Sequence, residues 1–93
     1  MIRLNCFVKL ADASRRDAVI KSATQLVEAT LKNDEGCHGY DFYASATRPD
    51  VFMFCETWES AEALDAHSHK DHFVKLVGEI NEVAEMTCEQ MEM

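Results

Sequence analysis

The stretch VFMFCETWESAEAL, residues 51–64, places a strand directly in front of a helix. Its first eight residues are rich in aromatic and β-branched side chains. They begin apolar on both faces, which is typical of a strand that is buried on both sides. Ser60 is a favoured N-cap residue, and the Ala-Glu-Ala-Leu run that follows it favours a helix. A change from strand to helix is therefore predicted at Ser60.

The chain before this stretch contains two further strands and a helix. The aromatic-rich run HGYDFYASA, residues 38–46, predicts a strand. The turn TRPD, residues 47–50, joins it to the strand at residues 51–58, and the two strands are predicted to form a β-hairpin. Residues 2–10 alternate with period two and predict a first strand. Asp12 or Ser14 can cap a helix that ends near Gly36. The apolar face of this helix is predicted to comprise Val19, Ile20, Ala23, Leu26, Val27, Thr30 and Leu31.

The chain after this stretch holds a second helical stripe and a last strand. The stripe is formed by Phe73, Leu76, Val77, Ile80, Val83 and Ala84. A helix break is predicted near residues 68–71, and the tail MTCEQMEM, residues 86–93, is predicted to form a strand. The order β-α-β-β-α-β predicts an α+β, ferredoxin-like fold, in which an antiparallel sheet carries its helices on one face. Residues 1–93 are expected to form a single domain.

The sheet face without helices is expected to form an interface. Apolar residues occupy one side of the first strand (Ile2, Leu4, Cys6 and Val8) and one side of the third strand (Val51, Met53 and Cys55). Whichever face the helices cover, apolar surface remains on the other, and exposed apolar surface of this extent usually marks an interface. A homodimer formed by two facing sheets is predicted.

Composition excludes several classes of partner. The net charge of −8 argues against nucleic acid and anionic membranes, because both select basic surfaces. No stretch is long and apolar enough to span a bilayer, and the opening MIRLNCFVKL does not fit a signal peptide. A cytoplasmic location is therefore expected, and with it four free cysteines.

Three histidines lie close together in LDAHSHKDHF, residues 64–73: His67, His69 and His72. A functional metal site needs three or four converging ligands. His67 and His72 are five positions apart, which separates their side chains on a helix, and no further ligand cluster is present. No metal is therefore predicted. Two roles remain open for these histidines: proton transfer near neutral pH, or hydrogen bonds to backbone groups left free at the helix break.

Several motifs together resemble the antibiotic biosynthesis monooxygenase superfamily, and most closely its quinol monooxygenase-like branch. They are Glu35-Gly36-Cys37, Glu56 and Trp58, Ala63-Leu64, His67, and His72-Phe73. The resemblance covers essentially the whole chain. It implies a dimeric α/β barrel made of two ferredoxin-like subunits. It also implies oxidation of a small quinol or phenolic aromatic by molecular oxygen, without metal, flavin or haem.

The resemblance assigns roles to particular residues. It makes His67 and His72 candidates for handling the phenolic proton, and Asn5 a candidate for orienting the substrate oxygen. The aromatic ring would contact side chains from several elements, and Glu56 would add a polar contact. These ring-binding candidates are Trp58, Phe54, Tyr40, Phe42 and Phe73. Haem is not expected, since Val77 stands where haem-degrading relatives carry a histidine ligand.

Two alternatives of different kinds remain open from the sequence. One is a dimeric module that binds a small apolar ligand without turnover, because one fold hosts many functions. The other is an isomerase, or an enzyme that modifies a small carbonyl signal, which would use the same histidines as acid and base and would need no oxygen.

Overall fold

A computed structural model describes all residues, Met1–Met93. Four strands and three α-helices follow one another along the chain, and a short 3₁₀ turn at Ala13–Arg15 precedes the first helix. The elements are β1 (Ile2–Leu10), α1 (Arg16–Asn33), β2 (Cys37–Ala44), β3 (Val51–Trp58), α2 (Ala61–Ser68), α3 (Asp71–Asn81) and β4 (Ala84–Glu92). The predicted ferredoxin-like order is confirmed, with the second helical region divided into α2 and α3.

Local signals in the sequence set several of these boundaries. The Ser60 side chain accepts a hydrogen bond from the backbone N–H of Ala63 and caps α2, as predicted. Asp12 accepts from the N–H of Ser14 and caps the 3₁₀ turn before α1. Gly36 follows α1 with φ of +78°, a backbone conformation that favours glycine. None of the three helices combines the length and the apolar character needed to cross a membrane.

The four strands form one antiparallel sheet in the order β2-β3-β1-β4. The central strands β1 and β3 pair so that Leu4 lies opposite Glu56 and Cys6 lies opposite Phe54. On the other side of β1, Cys6 lies opposite Cys88 of β4. This register brings residues from the two ends of the chain to the same part of the sheet.

The core lies between the helices and one face of the sheet. Alternate residues of β3 are buried there, and they include Phe52, Phe54 and Trp58 at 1% exposure or less. Helix α1 contributes most of the predicted stripe: Val19, Ala23, Leu26 and Thr30 are buried, whereas Leu31 is exposed. The covered side of β1 is the one that carries Ile2, Leu4, Cys6, Val8 and Leu10.

The opposite face of the sheet carries no helix. A row of apolar side chains crosses it, because Phe7 and Tyr43 both lie opposite Met53 in the sheet register. Phe7 is 39% exposed and Tyr43 is 52% exposed. Arg3 and Lys9 share this side of β1 with Phe7, so the face is an apolar strip bordered by polar residues.

The expectation of four free cysteines is wrong in one respect. Cys6 and Cys88 form a disulfide, whereas Cys37 and Cys55 are free. The two bonded residues are separated by 82 positions in sequence but face each other across β1 and β4, with their Cα atoms 4.1 Å apart. The register of the sheet therefore brings the two cysteines within bonding distance.

Candidate functional site

A mainly apolar cavity of about 320 Å³ lies between the sheet and the helices. This volume is at the small end of ligand-binding pockets and suits a ligand of one or two aromatic rings. Its polar or titratable side chains are few: Tyr40, Glu56, His67 and Asn81. The remaining lining residues are Leu4, Cys6, Leu26, Phe54, Leu64, Phe73, Val77, Met86 and Cys88.

His67 occupies the last turn of α2, where the chain bends towards α3, and its side chain is 1% exposed. The Nδ1 atom of its ring contacts a carboxylate oxygen of Asp34, the residue that directly follows α1. A carboxylate can only accept a hydrogen bond, so Nδ1 carries the ring proton and donates a hydrogen bond to Asp34. The other ring nitrogen, Nε2, is buried and has no hydrogen-bond partner within the protein.

His72 approaches the same carboxylate from the first turn of α3. Its Nε2 lies 2.9 Å from the second carboxylate oxygen of Asp34, and its side chain is 19% exposed. The Asp34 side chain itself is only 2% exposed. A buried carboxylate is costly unless charged or hydrogen-bonding groups compensate it. Here His67 makes a hydrogen bond to one oxygen of Asp34, whereas the other oxygen lies close to His72 without the geometry of a hydrogen bond. Asp34 thus ties the end of α1 to the bend between α2 and α3.

Burial and Asp34 act in opposite directions on the protonation of His67. Burial is the larger influence and lowers the pKa of His67, while the hydrogen bond and the negative charge of Asp34 raise it. The net pKa lies below the ordinary value of 6.5. His67 is therefore mainly a neutral imidazole near pH 7, and its Nε2 is unprotonated.

Glu56 is the second titratable group of the cavity wall. It is 4% exposed, and burial raises its pKa from 4.5 to about 7. One of its oxygens accepts a 2.9 Å hydrogen bond from the indole Nε1 of Trp58, which opposes this rise only in part. Near neutral pH a large fraction of Glu56 is therefore protonated, and its free oxygen can donate a hydrogen bond.

Aromatic rings surround the imidazole of His67. The ring centroids of Trp58, Phe73 and Tyr40 lie 4.6, 4.9 and 5.2 Å from it. Tyr40 also contacts Phe54 at 5.7 Å, and burial raises the pKa of its phenol above the ordinary value. These contacts hold the imidazole in one orientation and keep water away from it.

The structure brings most of the sequence-predicted residues to one place. Five of them line the cavity: Tyr40, Phe54, Glu56, His67 and Phe73. Two others lie behind its wall. Trp58 packs against His67 and bonds Glu56, and His72 contacts Asp34.

Two predicted residues lie elsewhere. Asn5 is on the sheet face away from the helices, where its amide donates to Glu89 and its carbonyl oxygen accepts from Arg3. Phe42 lines a separate small hollow between α1 and β2, together with Phe52. Neither lines the cavity that contains Glu56 and His67.

Asp34 is the site residue that the sequence reasoning missed. In the sequence it follows a helix and precedes Gly36, where an acidic residue is typical of a solvated turn. Its burial arises only because the end of α1 packs against the α2–α3 bend. One sequence signal could have indicated this pair: an acidic residue stands next to the Glu-Gly-Cys turn, and histidines follow downstream.

The Asp34 group also has the donor set of a metal site. Asp34, His67 and His72 each offer a ligand atom, and these atoms lie within 4.8 Å of one another. Two imidazoles and one carboxylate suit several divalent transition metals. His69, the third histidine of the stretch, is not part of this group, since it is exposed and contacts Asp65.

The fold and the cavity define a class: a small ferredoxin-like protein with two buried titratable side chains, Glu56 and His67, in the wall of a mainly apolar pocket. The model of the family called antibiotic biosynthesis monooxygenase matches residues 1–79. The chain therefore belongs to the antibiotic biosynthesis monooxygenase family, as the sequence motifs indicated.

Individual relatives agree with this assignment. The chain is similar to a protein of Bacteroides thetaiotaomicron described as a possible oxidoreductase of unknown function, at 48% identity and a TM-score of 0.94, over 99% of this chain and 96% of that one. A solved antibiotic biosynthesis monooxygenase is 27% identical, with a TM-score of 0.91, over 100% of this chain and 98% of that one.

Curated relatives match over shorter segments. The probable quinol monooxygenase YgiN of Escherichia coli K12 is 37% identical over 65 residues, which is 61% of this chain and 62% of that protein. An uncharacterized protein of Synechocystis is 35% identical over 46 residues, which is 50% of this chain and 31% of that protein. The matched segments thus span less than two thirds of these two relatives.

Proposed function

We propose that this protein is a cofactor-independent monooxygenase that oxidises a small quinol or phenol with molecular oxygen. One observation carries the proposal: the buried Asp34–His67 pair leaves a neutral, unpartnered Nε2 on a residue of the cavity wall. Such a pair resembles the carboxylate–imidazole unit by which many enzymes fix the tautomer of a catalytic base. The similarity to the probable quinol monooxygenase YgiN supports the choice of substrate class.

The chemistry begins with removal of a phenolic proton. A hydroquinone becomes a much stronger electron donor when it is deprotonated, and His67 Nε2 is the available base. Because the hydroquinone itself supplies the electrons, oxygen can react with it directly. One oxygen atom then enters the ring and the other leaves as water.

Glu56 supplies the matching acid. Its protonated oxygen can donate to a substrate oxygen, or to the reduced oxygen species that forms beside the ring. In this proposal Glu56 takes over the orienting role that the sequence suggested for Asn5. The apolar wall, which includes Phe54 and Phe73, binds the ring and excludes water from the charged intermediates.

Oxygen uptake with a reduced naphthoquinol tests this function. The wild-type protein should accelerate oxygen consumption and incorporate one labelled oxygen atom into the product. His67→Gln and Asp34→Asn should each lower kcat by about 10²-fold or more, the usual contribution of a general base. His69→Gln is the matched control, because it changes an exposed histidine of the same segment.

Other outcomes would identify the rival functions. Tight binding of the naphthoquinol without accelerated oxygen uptake would refute the proposal in favour of a binding module. Turnover of a carbonyl substrate that persists under strict anaerobiosis would refute it in favour of an isomerase.

A homodimer and a cytoplasmic location belong to the same proposal. The strip formed by Phe7, Met53 and Tyr43 on the uncovered sheet face suits a second copy of the chain. Sedimentation analysis should give twice the mass of the chain, and Tyr43→Asp should shift it towards the monomer. A monomeric wild-type protein at all accessible concentrations would refute this part.

A further inference from the structure

We infer that Cys6 and Cys88 form a thiol redox site that reduces a quinone in the cavity to its hydroquinone. The inference rests on the proposed function, from which it takes the class of ligand. It adds a second activity in the same cavity, one that runs without oxygen and prepares the substrate for the oxygen-dependent step.

The position of the pair carries the inference. Cys6 and Cys88 are joined by a disulfide, and both residues line the cavity whose wall also contains Glu56 and His67. A disulfide and two thiols differ by two electrons and two protons, and so do a quinone and a hydroquinone. A two-electron redox couple thus lies in the wall of the cavity.

The two cysteines differ in their access to solvent. Cys6 lies on the central strand β1 and is 4% exposed, whereas Cys88 lies on the edge strand β4 and is exposed. Exposed disulfides are attacked by thiols more readily than buried ones. Cys88 is therefore the member of the pair that an external thiol would attack, while Cys6 is the buried member on the central strand.

The external thiols supply the two electrons that the quinone receives, and the Cys6–Cys88 pair passes them on. A small external thiol attacks Cys88 and releases the thiol of Cys6, and a second external thiol frees Cys88 and leaves as the external disulfide. The thiolate of Cys6 then adds to a ring carbon of the quinone, and the thiolate of Cys88 attacks the sulfur of Cys6. The S–C bond breaks, its electron pair goes to the ring, and the two thiol protons end on the hydroquinone oxygens.

An anaerobic single-turnover experiment tests the redox site. The protein is reduced, freed of reductant, and mixed with a naphthoquinone that is methylated at both free quinone carbons, so that a stable thioether is disfavoured. We expect one hydroquinone per chain, with the loss of two thiols and the return of the Cys6–Cys88 disulfide in a peptide map. The disulfide form of the protein should produce no hydroquinone.

Two cysteine variants locate the activity. Cys88→Ser should lower the hydroquinone yield by about tenfold or more, because the remaining thiol cannot close a disulfide. Cys55→Ser is the matched control and should keep the full yield, since Cys55 is free and lies on the sheet face away from the cavity. Circular dichroism on both variants verifies that they are folded.

Several results would overturn the inference. The reduced wild-type protein could form no hydroquinone, or could lose its thiols to a quinone adduct instead of the disulfide. Cys88→Ser could also keep the wild-type yield. Each of these can occur while the disulfide form still consumes oxygen with a naphthoquinol, so the redox site and the monooxygenase function can fail separately.

Discussion

Replacing Glu56 by glutamine should change how the stability of the protein depends on pH. Burial raises the pKa of Glu56 from 4.5 to about 7. The folded state therefore holds this proton more tightly than the unfolded chain does. The resulting contribution to stability is fully present below pH 4.5 and is lost as the pH rises through about 7. The glutamine side chain is a neutral mimic of the protonated acid, and its amide oxygen can still accept the bond from Trp58.

The size of the effect follows from the same two values. At about 1.4 kcal/mol per pKa unit, the full contribution is about 3–4 kcal/mol. Most of this contribution is lost between about pH 5 and about pH 8.5, and the rest is lost below pH 5, where the carboxyl of the unfolded chain begins to ionise. The free energy of unfolding of Glu56→Gln should thus rise by about 2–3 kcal/mol relative to that of the wild type over this range.

Urea denaturation at a series of pH values measures this difference. The free energies of unfolding of the two proteins are subtracted at each pH, so that titration of His67 and other shared groups cancels. Glu28→Gln, which removes an exposed carboxylate of α1, is the matched control and should show no comparable trend. A difference between Glu56→Gln and wild type that stays constant with pH would refute the assigned protonation of Glu56.

Three further predictions concern the turn at Gly36, the acid–base pair and the Asp34 group. Gly36→Ala should lower the free energy of unfolding by at least about 2 kcal/mol, because φ is +78° and the added Cβ would lie 2.7 Å from that of Ala63. In the control Gly78→Ala, the added Cβ meets open space within α3, so the free energy of unfolding should instead rise by about 0.5–1 kcal/mol. Equal free energies of unfolding for the two variants in urea denaturation would contradict this prediction. The kcat/KM of quinol oxidation should fall below pH 6.5 as His67 gains a proton and should fall above about 7 as Glu56 ionises. Glu56→Gln should remove the alkaline decrease, and an unchanged profile would count against Glu56 as the acid. Dialysis against a strong chelator should leave oxygen uptake unchanged, and loss of uptake that is restored by one divalent metal would show that Asp34 and its two histidines hold an ion.

Much of the fold follows from local patterns. The bounds of β3, the cap at Ser60 and the break between α2 and α3 are predicted correctly, because each depends on neighbouring residues. Alternation in β1 also predicts that Asn5 lies on the face opposite Leu4 and Cys6. The resemblance nevertheless assigned Asn5 to the pocket, and the strand parity proved the better guide to its position.

Features that depend on distant parts of the chain were harder to predict. Asp34 becomes a buried partner of His67 only when α1 packs beside the α2–α3 bend. The Cys6–Cys88 disulfide requires one particular register of the first and last strands. The fold itself gives a signal for this disulfide, because β1 and β4 are neighbours in a ferredoxin-like sheet. The expectation of free cysteines rests instead on a reducing compartment and does not use that signal.

Trp58 gives the protein a built-in optical probe of its cavity. It is the only tryptophan of the chain, it is fully buried, and its indole ring packs 4.6 Å from the imidazole of His67 while bonding Glu56. All intrinsic tryptophan emission therefore originates within contact distance of both titratable groups. Fluorescence of the unlabelled protein can follow protonation and ligand entry in real time, without a substituted residue or an attached dye.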